Sequence, residues 1–254
     1  MRFAAVVLVA AGAIAALPGA ALAGHANLDE GRPVRFEDPY PIPRGEWSFE
    51  LGGGYLDPRP GKDHAFFPIE VLYGAILNTQ LSAGTVLFMG DSTASVGSGD
   101  VRLSALYNFG QESSVLPGLG LKYTLILPTG TDSHGVDAQI KALITKSISR
   151  VSFHANFSEL LVGERSFGER SSRFEIDLGT SFPLGTMHTR TLLLLGWFSE
   201  RAPESVLENR TGVELGIRRQ QTTRTVLDLG IGTESRGRYE GSRVRVSAGL
   251  SWSY

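Results

Sequence analysis

The last thirteen residues of the chain, from Ser242 to Tyr254, read Ser-Arg-Val-Arg-Val-Ser-Ala-Gly-Leu-Ser-Trp-Ser-Tyr. Apolar side chains stand at every second position, and arginine, serine or glycine stands between them. Successive side chains of a β-strand point to opposite faces, so this strand has one apolar face and one polar face. The segment therefore predicts a strand that separates an apolar medium from a polar one.

The same alternation repeats from Glu46 to the end of the chain, in segments of roughly ten residues separated by turn-rich stretches. The predicted strands are 46–56, 64–76, 79–90, 99–109, 118–127, 136–147, 151–162, 172–182, 189–200, 208–219, 223–233 and 242–254. Two stretches, 79–89 and 189–198, are apolar on both faces, so the sequence does not say which of their side chains point inward. The pattern predicts about twelve strands, within a range of roughly ten to fourteen.

The lengths of the connections alternate. Three are very short, at Leu77-Asn78, Ile148–Arg150 and Gln220–Thr222, and each follows an even-numbered strand. Odd-numbered strands are followed by longer stretches rich in glycine, proline and charge, whereas Gly110–Pro117 and Pro183–His188 are longer than this rule predicts. Short turns at one end and long loops at the other are typical of outer-membrane barrels. We therefore predict an all-β fold, a closed antiparallel up-and-down transmembrane β-barrel, over residues 46–254.

A soluble β-sandwich or barrel would give the same alternation, so other features must place the apolar face in lipid. Aromatic residues lie near the ends of several segments, as in the girdles of membrane barrels. An open sheet is unfavourable in lipid because its edges leave backbone groups unpaired. The chain also ends inside a strand with Leu250, Trp252 and Tyr254 at alternate positions, which resembles the carboxy-terminal signal of outer-membrane proteins. The expected partners are outer-membrane lipid and the barrel-assembly machinery.

The first residues predict export. An arginine precedes an apolar stretch, Phe3 to Leu17, and small residues follow at Ala21-Leu22-Ala23. This order is that of a cleaved signal peptide over 1–23, and the apolar run is shorter than the roughly 20 residues of a spanning helix. Residues 24–45 carry too many prolines and charges for a regular element. We interpret them as a periplasmic lead-in, ordered only if it docks on or inside the barrel.

Composition excludes several classes of function. There is no cysteine, and 24 lysines and arginines face 26 aspartates and glutamates without a basic block. Thiolate chemistry is therefore absent, and nothing predicts binding to nucleic acid. Asp132, His134 and Asp137 are near one another in a predicted loop, but such a loop defines no ligand geometry. No metal site and no cofactor are predicted.

Four motifs carry a resemblance to a known family. They are Gly99-Asp100-Val101-Arg102-Leu103, Leu119-Gly120-Leu121-Lys122-Tyr123, Leu127-Pro128-Thr129-Gly130 and Val151-Ser152-Phe153-His154-Ala155-Asn156. In this order they resemble the outer-membrane meta-pathway phenol-degradation family, over most of the mature chain. The resemblance implies a transporter-like barrel for aromatic or apolar small molecules, and it supplies no catalytic residues.

The polar faces of the strands carry charges of both signs, which we expect to line the lumen. The lining charges are Arg102, Lys122, Lys141, Arg173, Glu175, Asp177, Arg210, Glu214, Arg218, Arg224, Asp228, Arg243 and Arg245. Several of the arginines belong to the last three strands, so that part of the wall is expected to be basic and to face acids on the first strands. These charges either form ion pairs that stiffen the barrel or set the selectivity of a narrow pore.

His154, Asn156 and Ser158 share the inward face of one predicted strand. A serine, a histidine and an asparagine can form a hydrolase site when they lie within hydrogen-bond reach. We prefer a polar wall lining, because the trio would face away from lipid. The leading function is passive passage or binding of a small molecule of unknown identity. The alternatives are a lipid-active hydrolase and a purely structural barrel.

Overall fold

The computed structural model describes residues 27–57, 64–90, 96–131, 133–185, 191–204, 206–236 and 242–254. The predicted signal peptide over 1–23, the start of the lead-in and Asp132 lie outside these residues. The strands are β1 Trp47–Asp57, β2 His64–Ile76, β3 Thr79–Gly90, β4 Val96–Ser98, β5 Val101–Gly110, β6 Gly118–Leu127, β7 Asp137–Ile148, β8 Val151–Leu161, β9 Ser172–Pro183, β10 Thr191–Glu200, β11 Arg210–Gln220, β12 Thr225–Arg236 and β13 Ser242–Ser253. Within the described part of the chain, no helix is long and apolar enough to span a membrane.

The strands form one closed sheet. Each long strand pairs antiparallel with its neighbour in the sequence, and β13 pairs with β1 to close the ring. The short β4 pairs only with the end of β3 and continues after two residues into β5, so twelve long strands make up the ring. The predicted fold, a closed antiparallel up-and-down barrel of twelve strands, is confirmed.

The two ends of the barrel differ in their connections. At one end, which we call the tight-turn end, Asn78 and Ser149 connect β2 to β3 and β7 to β8 with positive φ angles of 61° and 58°. The seam between the first and last strands closes at this end, where Trp47 and Tyr254 exchange backbone hydrogen bonds of 3.0 and 2.8 Å. Both ends of the barrel segment therefore lie at the tight-turn end, as an even number of strands requires.

Apolar side chains on the outer face are exposed. Leu250 and Trp252 of β13 are 38% and 46% exposed, and their counterparts on the other long strands behave alike. The structure also orients the two stretches that the sequence left open. Gln80 of β3 and Leu194 of β10 point inward and are buried, whereas Leu81 and Leu195 point outward.

The buried core lies inside the barrel. Inward-facing Leu72, Leu106, Leu143, Leu194 and Phe198 are buried there, together with four apolar residues of the segment before β1. Those four are Leu28, Val34, Phe36 and Ile42. The barrel therefore has two separate apolar regions, an exposed outer face and a buried core in the lumen that the segment before β1 helps to form.

Candidate functional site

The segment before β1 forms a plug, which we define as residues 27–45. It lies inside the barrel, which is one of the two docked positions that the sequence left open for the lead-in. Leu28 and Asp38 close a loop within the plug, because Asp38 donates its backbone N–H to Leu28 O at 3.3 Å and accepts the Leu28 N–H on Oδ2 at 2.8 Å. The Asn27 side chain also donates to Tyr40 O. Residues 28–38 are therefore a compact loop with closed ends, of the Ω type.

The plug contacts all twelve long strands. From β1 to β13, the wall residues that touch it include Glu50, Gly74, Gln80, Asn108, Lys122, Lys141, Asn156, Glu175, Glu200, Arg218, Glu234 and Ser247. Most of these contacts are polar, and the plug residues at their centre are buried. The plug thus contacts the lumen wall around its whole circumference.

A lysine pair on β6 and β7 holds two plug carboxylates. Lys122 Nζ lies 3.0 Å from Glu30 and 2.9 Å from Glu37, and Lys141 Nζ lies 2.7 Å and 3.1 Å from the same two residues. Burial alone would raise the pKa of Glu30, but the two lysines and Arg102 outweigh it and hold that pKa well below its usual range. The lysines therefore keep the Glu30 carboxylate charged in its buried position.

An arginine of the plug meets four wall glutamates. The Arg35 guanidinium lies 3.0 to 3.6 Å from Glu175, Glu200, Glu214 and Glu234 of β9 to β12. Burial would lower the pKa of Arg35, but the four carboxylates raise it above its ordinary value. The same guanidinium lies 3.9 Å from the centre of the Phe198 ring, a cation–π distance. Arg35 therefore adds a positive charge from the plug to a cluster of four wall carboxylates.

Two further ion pairs tie the plug to the wall. Arg218 of β11 bridges Asp29 of the plug at 2.7 Å and Asp228 of β12 at 3.2 Å. Arg32 of the plug pairs with Glu50 of β1 and lies 3.5 Å from Ser251 Oγ of β13. Because these groups are buried, removing one partner weakens the compensation of a charge that water cannot reach.

Asp38 is the one plug acid whose described contacts are all within the plug. It accepts the backbone N–H groups of Leu28 and Tyr40 at 2.8 and 3.0 Å. Burial raises the pKa of Asp38 to about 7, despite these two hydrogen bonds. Asp38 therefore changes its charge near neutral pH when the plug is docked.

An aromatic niche holds Phe36. Its ring is stacked on His154 of β8, with centroids 4.9 Å apart and an interplanar angle of 23°. A Cβ on Gly179 of β9 would overlap the ring, and a Cβ on the neighbouring Gly196 of β10 would lie 3.3 Å from it. The two glycines are paired across the strands, so together they leave room in the wall for a flat side chain.

The charges predicted to line the lumen lie on inward-facing positions of the strands, with one exception. Lys122, Lys141, Asp177, Glu214, Arg218 and Asp228 are buried, Arg173, Glu175, Arg210, Arg243 and Arg245 are half-buried, and Arg102 is exposed. Arg224 is the exception, because β12 begins one residue later, at Thr225. Arg224 is exposed in the turn, with its guanidinium 5.5 Å from the Tyr254 ring centre.

The expected division into a basic and an acidic wall is wrong. Arg245 of β13 lies 3.2 Å from Glu214 of β11, and Arg210 of β11 pairs with Glu200 of β10. Acids and arginines are therefore interleaved on the last strands. Each of these acids gains a cation on a nearby strand, and the directly paired Glu175 and Glu200 share the Arg35 guanidinium of the plug.

The trio His154, Asn156 and Ser158 is buried on the inward face of β8 but is not assembled for catalysis. The His154 ring nitrogens lie 2.9 Å from Thr145 Oγ1 and from Ser181 Oγ, so both are engaged away from Ser158. Asn156 exchanges two hydrogen bonds with the backbone of Glu37. His154, through Phe36, and Asn156, through Glu37, therefore support the plug. Among the described residues, no group of three potential ligands could hold a metal ion.

The fold and the lumen define a class, the plugged twelve-stranded β-barrel of the outer-membrane type. No protein-family model matches the chain, and no curated protein matches it in sequence. Solved structures match in fold. An outer-membrane channel from Pseudomonas putida F1 is similar at a TM-score of 0.66 with 13% identity, over 89% of this chain and 100% of that chain.

Two porins are similar as well. The NanC porin matches at a TM-score of 0.60 with 11% identity, over 80% of this chain and 98% of its own. The KdgM porin, solved with disordered oligogalacturonate, matches at 0.57 with 9% identity, over 82% and 99%. At these identities the likeness concerns the fold, which is that of an outer-membrane barrel.

Proposed function

We propose that this protein is an outer-membrane channel for small molecules in which the plug must move for a solute to pass. The observation that carries the proposal is the plug itself, which contacts every long strand, eleven of them through polar side chains and β2 through the Gly74 backbone. A purely structural barrel gains little from such a loop, because apolar side chains would fill the lumen at a lower desolvation cost. Similar folds that are channels and porins support this function.

The proposal includes the location. The exposed apolar belt suits the outer membrane, with the tight-turn end towards the periplasm. The signal peptide over 1–23 and assembly through Leu250, Trp252 and Tyr254 remain predictions. Deleting Trp252–Tyr254 should reduce the heat-modifiable, folded form in the outer-membrane fraction. An unchanged folded fraction would remove the assembly signal from the proposal.

A disulfide can test whether the plug moves. The chain has no cysteine, and the Phe36 ring lies against the Cβ position of Gly179. A double variant, Phe36→Cys with Gly179→Cys, therefore places two cysteines side by side, and a disulfide can form when their Cβ atoms come within roughly 3.5 to 4.5 Å. The experiment reconstitutes this variant in liposomes and measures solute entry by swelling, before and after reduction.

We expect entry to be blocked in the oxidised protein and restored by reductant. The single variants Phe36→Cys and Gly179→Cys control for the substitutions themselves and should not respond to reductant. Equal entry in the oxidised and reduced double variant would show that passage does not need plug movement. No entry under any condition would contradict the channel function.

The family resemblance adds a finer proposal, that the solute is an aromatic or apolar small molecule. The Phe36 niche supports it, because the wall there already accommodates a flat ring. The lipid-active hydrolase has no such support, since His154 is engaged by Thr145 and Ser181.

A further inference from the structure

Two adjacent plug residues occupy two different kinds of pocket in the wall. The Phe36 ring fills the niche between His154 and the paired glycines, Gly179 and Gly196. The next residue, Glu37, places its carboxylate 2.9 Å and 3.1 Å from the Lys122 and Lys141 ammonium groups. A ring and a carboxylate are therefore bound side by side.

A third wall residue, Asn156, binds the plug backbone at Glu37, next to the ring and the carboxylate. Asn156 accepts the Glu37 backbone N–H on Oδ1 at 2.8 Å and donates from Nδ2 to the Glu37 carbonyl at 2.9 Å. Asn156 is fully buried and, like the niche and the lysines, it belongs to a strand of the wall. All three recognising elements belong to strands of the sheet, whereas the groups that they bind belong to the plug.

The site is unfavourable when it is empty. Without the plug, Lys122 and Lys141 face each other as directly paired residues of β6 and β7 with no carboxylate between them. Two neighbouring ammonium groups repel, so the pair attracts any carboxylate placed between them. The glycine niche would at the same time expose apolar wall. A ligand with both a ring and a carboxylate would replace the Phe36 ring in the niche and the Glu37 carboxylate between the lysines.

We propose that this part of the wall is a binding site for small molecules that carry an aromatic ring and a carboxylate, and that these molecules compete with Phe36 and Glu37 for it. The site rests on the proposed function, since it names the solute class that the channel would bind. Two sources share the chemistry. One is a simple arylalkanoate, and the other is a short acidic peptide, whose amide would also satisfy Asn156.

The test measures binding to the full-length protein in detergent by calorimetry. The probe acetyl-Phe-Glu-amide copies the ring, the amide and the carboxylate of the plug. The wild type should bind it weakly, because the plug occupies the site in most molecules. Phe36→Ala vacates the niche, so we expect an affinity at least about tenfold higher, as burial of one aromatic ring suggests.

A matched variant separates this effect from a general loosening of the plug. Ile42→Ala also shortens a buried apolar plug residue, but at a different place in the lumen. It should give no such gain. Two control ligands divide the site further, because acetyl-Ala-Glu-amide lacks the ring and acetyl-Phe-Gln-amide lacks the charge. Each should lose most of the gain in Phe36→Ala.

The simple acid 5-phenylvalerate distinguishes the sources. Binding comparable to that of the peptide assigns the site to arylalkanoates, and binding only of the peptide assigns it to acidic peptides. Equal affinities of Phe36→Ala, Ile42→Ala and the wild type would overturn the proposal, as would equal binding of the Gln and Glu peptides. If Phe36→Ala fails the heat-modifiability check for folding, Phe36→Leu is used, and the same order of ligands must hold.

This outcome is separate from that of the channel function. The disulfide experiment reports solute entry without any ligand, whereas the calorimetry reports binding without any transport. If solute entry responds to the disulfide but binding depends on neither the ring nor the charge, the proposed binding site is contradicted and the proposed channel function is supported.

Discussion

The outer and inner faces of the barrel wall satisfy their surroundings in different ways. The outer face needs only apolar side chains, because lipid makes no specific contact with any one of them. The inner face carries charges, and Arg218, Lys122 and Lys141 each need particular partners on another strand or on the plug. For a substitution on the outer face, the loss in the free energy of unfolding should therefore depend on the depth of the residue in lipid. For one on the inner face, the loss should depend on which charged partners remain buried without the substituted group.

The largest effect is expected from Arg218→Leu. The substitution leaves Asp29 and Asp228 buried without their shared cation, at a cost of about 3 to 5 kcal/mol in the free energy of unfolding. Denaturant titration of the protein folded in vesicles measures it. Arg219→Leu, at the next residue on the exposed face, is the matched control and should cost less than about 0.5 kcal/mol. Similar losses for both would contradict the contrast between the faces.

The next effect concerns the outer face. Leu195 points outward in the middle of β10, so Leu195→Arg places a charge in the hydrocarbon region. We expect it to destabilise the barrel by about 2 to 4 kcal/mol. Val206→Arg, in the exposed connection between β10 and β11, should be close to neutral. The same titration in vesicles compares them, and a neutral Leu195→Arg would argue that this face does not meet lipid.

A third effect depends on pH and concerns the plug. The docked plug raises the pKa of Asp38 from an ordinary 3.8 to about 7, so the docked state binds a proton more tightly than the undocked state. Docking is therefore favoured in acid and weakens as the pH rises from about 4 to about 7, by at most tenfold per pH unit, with no further change above. Glu30 acts in the opposite sense only below its ordinary pKa of 4.5.

Thiol labelling can follow this change, because Val34 is fully buried in the plug and Val34→Cys would carry the only thiol of the chain. We expect labelling to accelerate between pH 5 and 7 relative to the same variant with Asp38→Asn. Taking this ratio at each pH cancels the titration of the thiol itself. A ratio that does not change with pH would rule out Asp38 as the titrating group.

The smallest effect is expected from Lys146→Met. Lys146 lies on the outward face near the tight-turn end, 3.5 Å from Glu112 and within 2.6 to 3.4 Å of three carbonyl groups of the β5–β6 connection. These groups are partly exposed, so water screens the charge and the cost should stay below about 1 kcal/mol. A loss as large as that of Arg218→Leu would mean that this connection is as tightly constrained as the lumen.

The fold was predictable because lipid imposes one simple rule on the outer face. Alternation alone located the long strands to within a few residues, and Leu250 and Trp252 point outward as the last segment predicted. The rule fails where both faces are apolar. Leu194 and Phe198 face inward in β10 because they pack around the plug, and nothing in a local pattern could distinguish them from Leu195.

The site was predictable only in part. Lys122 and Lys141 belong to alternating strands, so their inward direction follows from the sequence. Their partners, Glu30 and Glu37, belong to a segment without periodicity, and its place in the lumen is set by contacts distant in sequence. One signal was present, since the lead-in carries both acids and arginines, and so does the inward face of the wall. Composition could suggest this match but could not pair the residues.

The contact of Arg32 at the seam has a consequence for how the molecule is made. Its guanidinium donates to the carbonyl groups of Leu51 in β1 and Leu250 in β13, at 3.2 and 3.4 Å, and these residues face each other where the first and last strands meet. The plug precedes β1 in the chain, so it is synthesised before the strand that completes the ring. Arg32 can bridge both strands only after β13 has paired with β1. Closure of the ring of strands is therefore accompanied by a new contact between the seam and the plug inside the lumen.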